Sequence, residues 1–237
     1  MKNVCAIVLA AGKGTRMQSS KPKVLSTINH QPILALTLKI FKKLNLEKIL
    51  IVIGYKSDLV KKTLGDSWNF VQQKDLLGTG HAVLVALPAL PTNCQTVVVI
   101  NGDDSCFYKA STLTKIIYNH LKSAAKMTIM ATVSKNAAIS GRVVRDSSGK
   151  MIGIKTGQDG NEVVCGIYLF NRKWLETRLP KVKKALSGEI LLTSLISVAL
   201  EEGSLNEVKL TDPNQWRSIN TKKELLAARR LWQKLHI

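Results

Sequence analysis

The chain has 237 residues, 45% of them hydrophobic, which is enough to bury a substantial core and sets one α/β domain with an embellishment as the expectation. No run approaches the roughly 18–20 apolar residues of a membrane span, and the opening Met1-Lys2-Asn3 carries no signal-peptide pattern, so a cytoplasmic location is expected. The formal net charge of +19 suits a polyanionic partner: a nucleic acid, an anionic membrane surface, or phosphorylated small molecules gathered by the field. The lysines are dispersed over polar faces of expected helices with little aromatic interleaving to stack on bases, which argues against nucleic acid as the main partner. Cys5, Cys94, Cys106 and Cys165 are far apart and form no CxxC pair. Neither a disulfide framework nor a zinc site is expected, and Cys5 and Cys165 read as buried small hydrophobes.

The first element is an apolar strand from Val4 to Leu9, consistent with a parallel sheet covered on both faces. It runs into Leu9-Ala10-Ala11-Gly12-Lys13-Gly14-Thr15-Arg16-Met17, followed by Lys21-Pro22-Lys23. Ala10 and Ala11 are small enough for a ligand to approach the backbone. Gly12 and Gly14 can take positive φ and turn amide N–H groups into one concavity that favours anions. Arg16 offers a planar fork of donors for phosphate oxygens and Lys23 a mobile point charge. A P-loop is excluded because Ile7 stands where its first glycine belongs, and the Rossmann GxGxxG fails at Met17.

Ile33 to Leu44 shows helical spacing with Lys39, Lys42 and Lys43 outward, and Ile49 to Ile53 is a second buried strand ended by Gly54. Ser57 or Asp58 is placed to cap a short helix that stops near Gly65. Thr79 to Leu87 reads as a helix halted by Pro88 and Pro91. Thr96 to Ile100 is a strand ending in Asn101-Gly102-Asp103-Asp104, which puts Asp103 at the carboxyl edge where open α/β sheets bind ligands. Arg142 to Asp146 and Met151 to Ile154 flank the turn Ser147-Ser148-Gly149 as a hairpin. Glu162 to Phe170 is a further strand, and Arg172 to Leu186 and Glu189 to Glu202 are expected helices. The last element, Thr221 to His236, is amphipathic, with Leu225, Leu226, Ala228, Leu231, Trp232 and Leu235 on the side expected to pack on the domain.

The stretch LAAGKGTRM with PKVL at 22–25 resembles the signature of the sugar-1-phosphate nucleotidylyltransferases. Gln73 followed by Leu77-Gly78-Thr79-Gly80-His81-Ala82 resembles the base-reading segment of the uridylyltransferase domain in bifunctional N-acetylglucosamine-1-phosphate uridylyltransferases. The likeness runs in order from Val4 to about Leu231, and no hexapeptide repeats of an acetyltransferase half are present. The resemblance implies a Rossmann-like (GT-A-like) α/β fold, with a mostly parallel mixed sheet flanked by helices and a smaller hairpin-containing acceptor-side part. On this reading 1–237 is one domain: about 1–134 holds the nucleotide, about 135–220 closes over the acceptor, and 221–237 is the final helix.

The implied reaction is Mg²⁺-dependent transfer of a nucleotidyl group, UMP from UTP, to a sugar-1-phosphate with release of pyrophosphate. The resemblance implies nucleotide contacts from Leu9, Ala10, Ala11, Gly12, Gly14, Lys23, Gln73, Gly78, Thr79, Asn101, Gly102 and Asp103. Arg16 is expected at the β- and γ-phosphates, and Lys23 between the α-phosphate and the incoming phosphate. Asp103 and Asn220 would hold Mg²⁺, although a strand-end turn and a helix N-cap are their ordinary alternatives. His81 is expected to be a structural residue at a helix start, and Asp104 either supports the metal site or faces solvent. Gly141 carries over to the acceptor side. The family's sugar-reading Glu and Asn fall on Thr156 and Val164, and its Gly-Glu-Tyr-Tyr on Gly188-Glu189-Ile190-Leu191, so another acceptor is open. Asn161 and Glu162 are candidate replacements. The rivals are a cytidylyl- or thymidylyltransferase acting on another phosphate, a weakly catalytic nucleotide-binding regulator, and a nucleic-acid-binding module. A homo-oligomer is an open possibility.

Overall fold

A computed structural model describes residues 1–134, 141–155, 157 and 160–235. The chain begins with β1 (Val4–Ala10), a two-strand ribbon of β2 (Thr27–Ile28) and β3 (Gln31–Pro32), α1 (Ile33–Lys42), β4 (Lys48–Ile53) and α2 (Ser57–Leu64). It continues through β5 (Asn69–Gln72), α3 (Thr79–Ala86), β6 (Thr96–Asn101), α4 (Ala110–Lys122) and β7 (Met127–Val133). The hairpin β8 (Arg142–Arg145) and β9 (Met151–Lys155) follows, then β10 (Glu162–Asn171), α5 (Arg172–Arg178), α6 (Ser194–Glu201), β11 (Leu205–Lys209) and α7 (Lys222–Leu235).

The main sheet runs β11-β7-β10-β6-β1-β4-β5, with the β8–β9 hairpin attached to β10. Strands β6, β1, β4 and β5 are parallel, β10 is antiparallel to both β6 and β7, and β11 is parallel to β7. This is the α/β, mostly parallel mixed sheet flanked by helices that the sequence predicts. Every residue of β1 is buried because helices cover both faces of the sheet. Alternate β1 side chains feed two cores: Ile7 and Leu9 pack with Ala82, Val83 and Phe170 on one face, Val8 and Ala10 with Leu34, Leu38 and Ile167 on the other. Cys5 and Cys165 are both fully buried, as expected.

Several expectations shift in the structure. The helix expected over 172–186 stops at Arg178, because Pro180 cannot continue it beyond one 3-10 turn at Leu179–Lys181. The helix expected from Glu189 begins only at Ser194, after 189–191 outside regular structure and a turn at 192–193. Neither Ser57 nor Asp58 caps α2: the N-cap is Lys56 at φ 49°, whereas Gly65 does end the helix at φ 78°. On α7 only part of the supposed apolar side is covered. Leu225 and Ala228 are buried against Met17, Ile33, Phe107 and Ile219, while Leu226 and Leu235 stand about half exposed. Elements β5, α4, β7 and β11 are not predicted by the sequence reading.

Candidate active site

Strand β1 lies between β6 and β4, so successive crossovers leave it in opposite directions and open a crevice at the strands' carboxyl ends. Leu9 is in register with Asn101, and the Leu9 carbonyl accepts a 2.9 Å hydrogen bond from Gly102 N–H. The glycine loop and the Asn101–Asp104 turn therefore emerge side by side on the rim of a cleft of about 930 Å³. Leu9, Ala10, Ala11, Gly12, Gly14, Arg16, Lys23, Gln73, Gly78, Thr79, Asn101, Asp103, Gly141, Val164 and Asn220 all line it. Gly102 does not: a Cβ there would meet Leu34 at 2.9 Å and the Leu9 carbonyl at 3.0 Å, so the glycine serves packing beneath the turn.

Gly14 sits at φ 62°, and a Cβ on it would lie 2.6 Å from the Lys23 Cβ. The loop can rest on the Lys23 stem only because Gly14 has no side chain. Gly12 is outside the left-handed region, contrary to the expectation of positive φ, and its missing side chain leaves open space. Arg16 is exposed beside the loop.

Lys23 Nζ forms an ion pair with Asp103 Oδ2 and a 2.7 Å hydrogen bond to Asn220 Oδ1. Asn220 is not the cap of the last helix. Thr221 Oγ1 accepts from Glu224 N–H at 3.2 Å, and Glu224 Oε2 accepts from the N–H groups of Asn220 and Thr221 at 2.8 and 2.9 Å, a capping box. With Asn220 Nδ2 donating to Ser218 Oγ at 2.6 Å, the amide oxygen is left facing Asp103 across the Lys23 ammonium. Asp103 and Asn220 thus already hold a cationic group between two hard oxygen atoms. That donor set fits a divalent cation such as Mg²⁺, which takes one or two protein ligands and completes its shell with phosphate and water. No group of three or more His, Cys, Asp or Glu side chains able to hold a metal occurs among the described residues.

Asp104 does not face solvent. It is buried, with Ser105 Oγ donating to Oδ1 at 2.9 Å and Asn101 Nδ2 to Oδ2 at 3.3 Å. Burial, reinforced by the charge of Asp103, raises its pKa to about 7. Gly166 on β10 makes room for it: a Cβ there would fall 2.2 Å from Asn101 Nδ2 and 2.7 Å from Asp104 Oδ2.

At the other end, buried Gln73 donates from Nε2 to the Gly78 carbonyl at 3.1 Å and lies 3.0 Å from His81 Nδ1. A flipped amide would set its oxygen against the Gly78 carbonyl, so this network fixes Nε2 inward, with His81 Nδ1 as acceptor, and leaves Oε1 as the group Gln73 has to offer. His81 therefore orients Gln73 from the first turn of α3. The neighbouring glycines answer to packing. Gly80 N–H donates to the Ile190 carbonyl and Ile190 N–H to the Leu77 carbonyl, both at 2.8 Å, and Thr79 Oγ1 accepts from Leu192 N–H at 3.0 Å. A Cβ on Gly78, at φ 95°, would lie 2.7 Å from the Ile190 carbonyl, and one on Gly80 2.6 Å from Ile190 Cγ2.

Of the residues expected to meet the acceptor, Val164 N–H donates to the Gly141 carbonyl at 3.0 Å. Thr156 lies outside the described residues. Glu162 is unavailable, since it pairs with Arg145, which also binds Glu207. Neither Asn161 nor Glu162 lines the cleft.

The sequence reading misses Tyr168, Thr193, Ser194, Ser197 and Trp216, all of which line it, as does Glu189 of the Gly188–Leu191 segment. Period-two alternation from Val164 through Gly166 would have found Tyr168; the supposed helix from Glu189 obscured the 189–197 group. Tyr168 is buried, its hydroxyl forms no hydrogen bond among the described residues, and burial pushes the hydroxyl pKa up. Trp216 Nε1 is a buried donor without a partner among the described residues.

The chain belongs to the nucleotidyl transferase family, whose sequence model matches residues 5–234, and the protein is a nucleotidyltransferase. Among curated relatives, the bifunctional protein GlmU of Carboxydothermus hydrogenoformans is 34% identical over 228 residues, covering 92% of this chain and 50% of that protein. The bifunctional protein GlmU of Heliobacterium modesticaldum is 33% identical over 237 residues, covering 96% of this chain and 52% of that protein. The chain thus spans about half the length of the curated relatives it matches. No helix among the described residues is long and apolar enough to cross a membrane.

Proposed function

We propose that the protein transfers a uridylyl group from UTP to a sugar-1-phosphate and releases pyrophosphate. The observation that carries the reading is the convergence of Lys23, Asp103 and Asn220 beside the glycine loop. A phosphate oxygen attacking the α-phosphorus of a triphosphate faces anion–anion repulsion first, so charge neutralisation and alignment supply most of the catalysis. In this reading the loop N–H groups and Arg16 hold the β- and γ-phosphates and favour pyrophosphate as leaving group, and Lys23 lies between the α-phosphate and the acceptor phosphate. Asp103 and Asn220 would hold Mg²⁺, which when bound supplies further charge neutralisation at the phosphates.

The base preference follows from Gln73. An acceptor oxygen on Gln73, at the Gly78–Thr79 end of the cleft, matches the donor N3–H of uracil or thymine. It opposes the unprotonated N3 of cytosine, which supports UTP or dTTP over CTP. The division of labour between about 1–134 and 135–220 belongs to this proposal, as does a sugar phosphate held among Gly141, Val164 and Tyr168.

Pyrophosphate release with Mg²⁺, measured for UTP, dTTP, CTP, ATP and GTP against a panel of sugar-1-phosphates, tests the reading. Release that requires UTP together with one sugar-1-phosphate is expected. Release with dTTP or CTP alone would move the donor, and failure to bind any pyrimidine nucleotide would overturn the proposal.

A further inference from the structure

We propose that Lys23 is a resident cation at the metal seat: it occupies the space between Asp103 and Asn220 until a divalent ion enters, and is then handed to the phosphates. This rests on the assignment of Asp103 and Asn220 as metal ligands made above. The ammonium touches both oxygens at once, through the ion pair to Asp103 and the 2.7 Å hydrogen bond to Asn220. The two side chains of that ion pair are 13% and 22% exposed, for Lys23 and Asp103 respectively, so the contact is partly sheltered from water.

The seat is built from outside Lys23. Asn220 is oriented by Ser218 and by the Thr221–Glu224 box, and Asp103 follows directly on the Asn101–Gly102 end of the strand segment. The base of Lys23 is equally fixed, in a 3-10 turn at Lys23–Leu25 with its Cβ against Gly14. Between a fixed base and a fixed seat runs a four-carbon stem that pivots freely. An ammonium and a divalent ion cannot share two oxygens, because three positive charges within a few ångströms repel strongly in a partly dry cleft. Each therefore excludes the other. The displaced ammonium remains tethered to the glycine loop, where the triphosphate is expected, and gains a partner only when nucleotide is present. Free metal alone must break the Lys23 contacts without recompense, whereas metal arriving with nucleotide need not. The seat consequently discriminates against a bare ion and couples metal binding to nucleotide binding.

The test is Mn²⁺ binding to the whole protein without nucleotide, read from the paramagnetic resonance signal of the free ion. Lys23→Met is expected to bind Mn²⁺ about tenfold more tightly than wild type. Lys13→Met is the control for a general field effect, since Lys13 lines the cleft and has no ion pair among the described residues; it should change affinity less than about twofold. Adding UTP should tighten Mn²⁺ binding by the wild type about tenfold more than by Lys23→Met. Equal or weaker Mn²⁺ binding by Lys23→Met, or the same gain in Lys13→Met, overturns the exchange. Asp103→Asn separates the two levels. Retained Mn²⁺ binding there overturns the metal assignment itself, while its loss without a gain in Lys23→Met leaves the assignment and removes the exchange. Lys23→Gln carries the same test if Lys23→Met does not fold.

Discussion

The two ends of the cleft are built on different principles. At the donor end polar side chains are fixed by other polar groups: Gln73 by Gly78 and His81, Asn220 by Ser218 and Glu224, Lys23 by Asp103 and Asn220. At the end proposed for the acceptor, aliphatic Ile154, Val164 and Leu191 are interleaved with Tyr168, Glu189 and Thr193. A network of mutually satisfied groups admits few substitutions, because removing one member strands its partners. The aliphatic side chains of that lining can be altered one residue at a time, since they hold no polar partner. In the proposed reaction the donor end is thus the constrained half and the acceptor end the adjustable one.

The contrast can be broken or sharpened by substitution. Asp103→Asn should lower pyrophosphate release about a thousandfold with little change in melting temperature; near-normal turnover would remove Asp103 from the site. Gly78→Ala should destabilise by about 2–4 kcal/mol, from a strained positive φ and contact with the Ile190 carbonyl, and a melting curve within a degree of wild type would refute that account. For Gln73→Leu we expect kcat/KM for UTP to fall about 10–100-fold while CTP turnover changes little, and parallel losses for both nucleotides would dissociate Gln73 from base reading. Tyr168→Phe should raise the acceptor KM about tenfold and leave the UTP KM unchanged. The smallest effect is expected from Val164→Asn, a shift of about threefold toward N-acetylglucosamine-1-phosphate over glucose-1-phosphate; no shift in a folded variant would count against the register that places Val164 at the sugar.

The donor end was also the more legible in the sequence. A buried strand, a glycine-rich loop and a strand-end Asp are local patterns, and β1, β6 and the cleft positions of Lys23, Asp103 and Asn220 agree with them. What escaped is non-local. That Gly78 and Gly80 serve the close approach of 189–192 requires knowing that two segments far apart in sequence meet. The same holds for Gly102 under Leu34 and for Gly166 beneath Asn101 and Asp104. Periodicity also misled where an apolar run met proline or turned into the cleft, so 172–186 and 189–202 contain shorter helices than their composition suggests. The polar partners of Asn220 were hidden because a Thr-x-x-Glu box one residue later supplies the cap that Asn220 itself could have been.

Strand β10 is registered on one side with β6, from Ile167 opposite Ile100 to Asn171 opposite Thr96, and on the other with β7. The cleft-lining residues Val164 and Tyr168 are therefore inherited with an interior strand of the sheet. Recombination between relatives that exchanged only the later part of the gene would set a foreign β10 between resident β6 and β7 and have to match both registers at once. Point substitution at the cleft end of β10 leaves those pairings untouched. New acceptor ranges on this scaffold should accordingly arise by mutation within a strand, not by shuffling of segments.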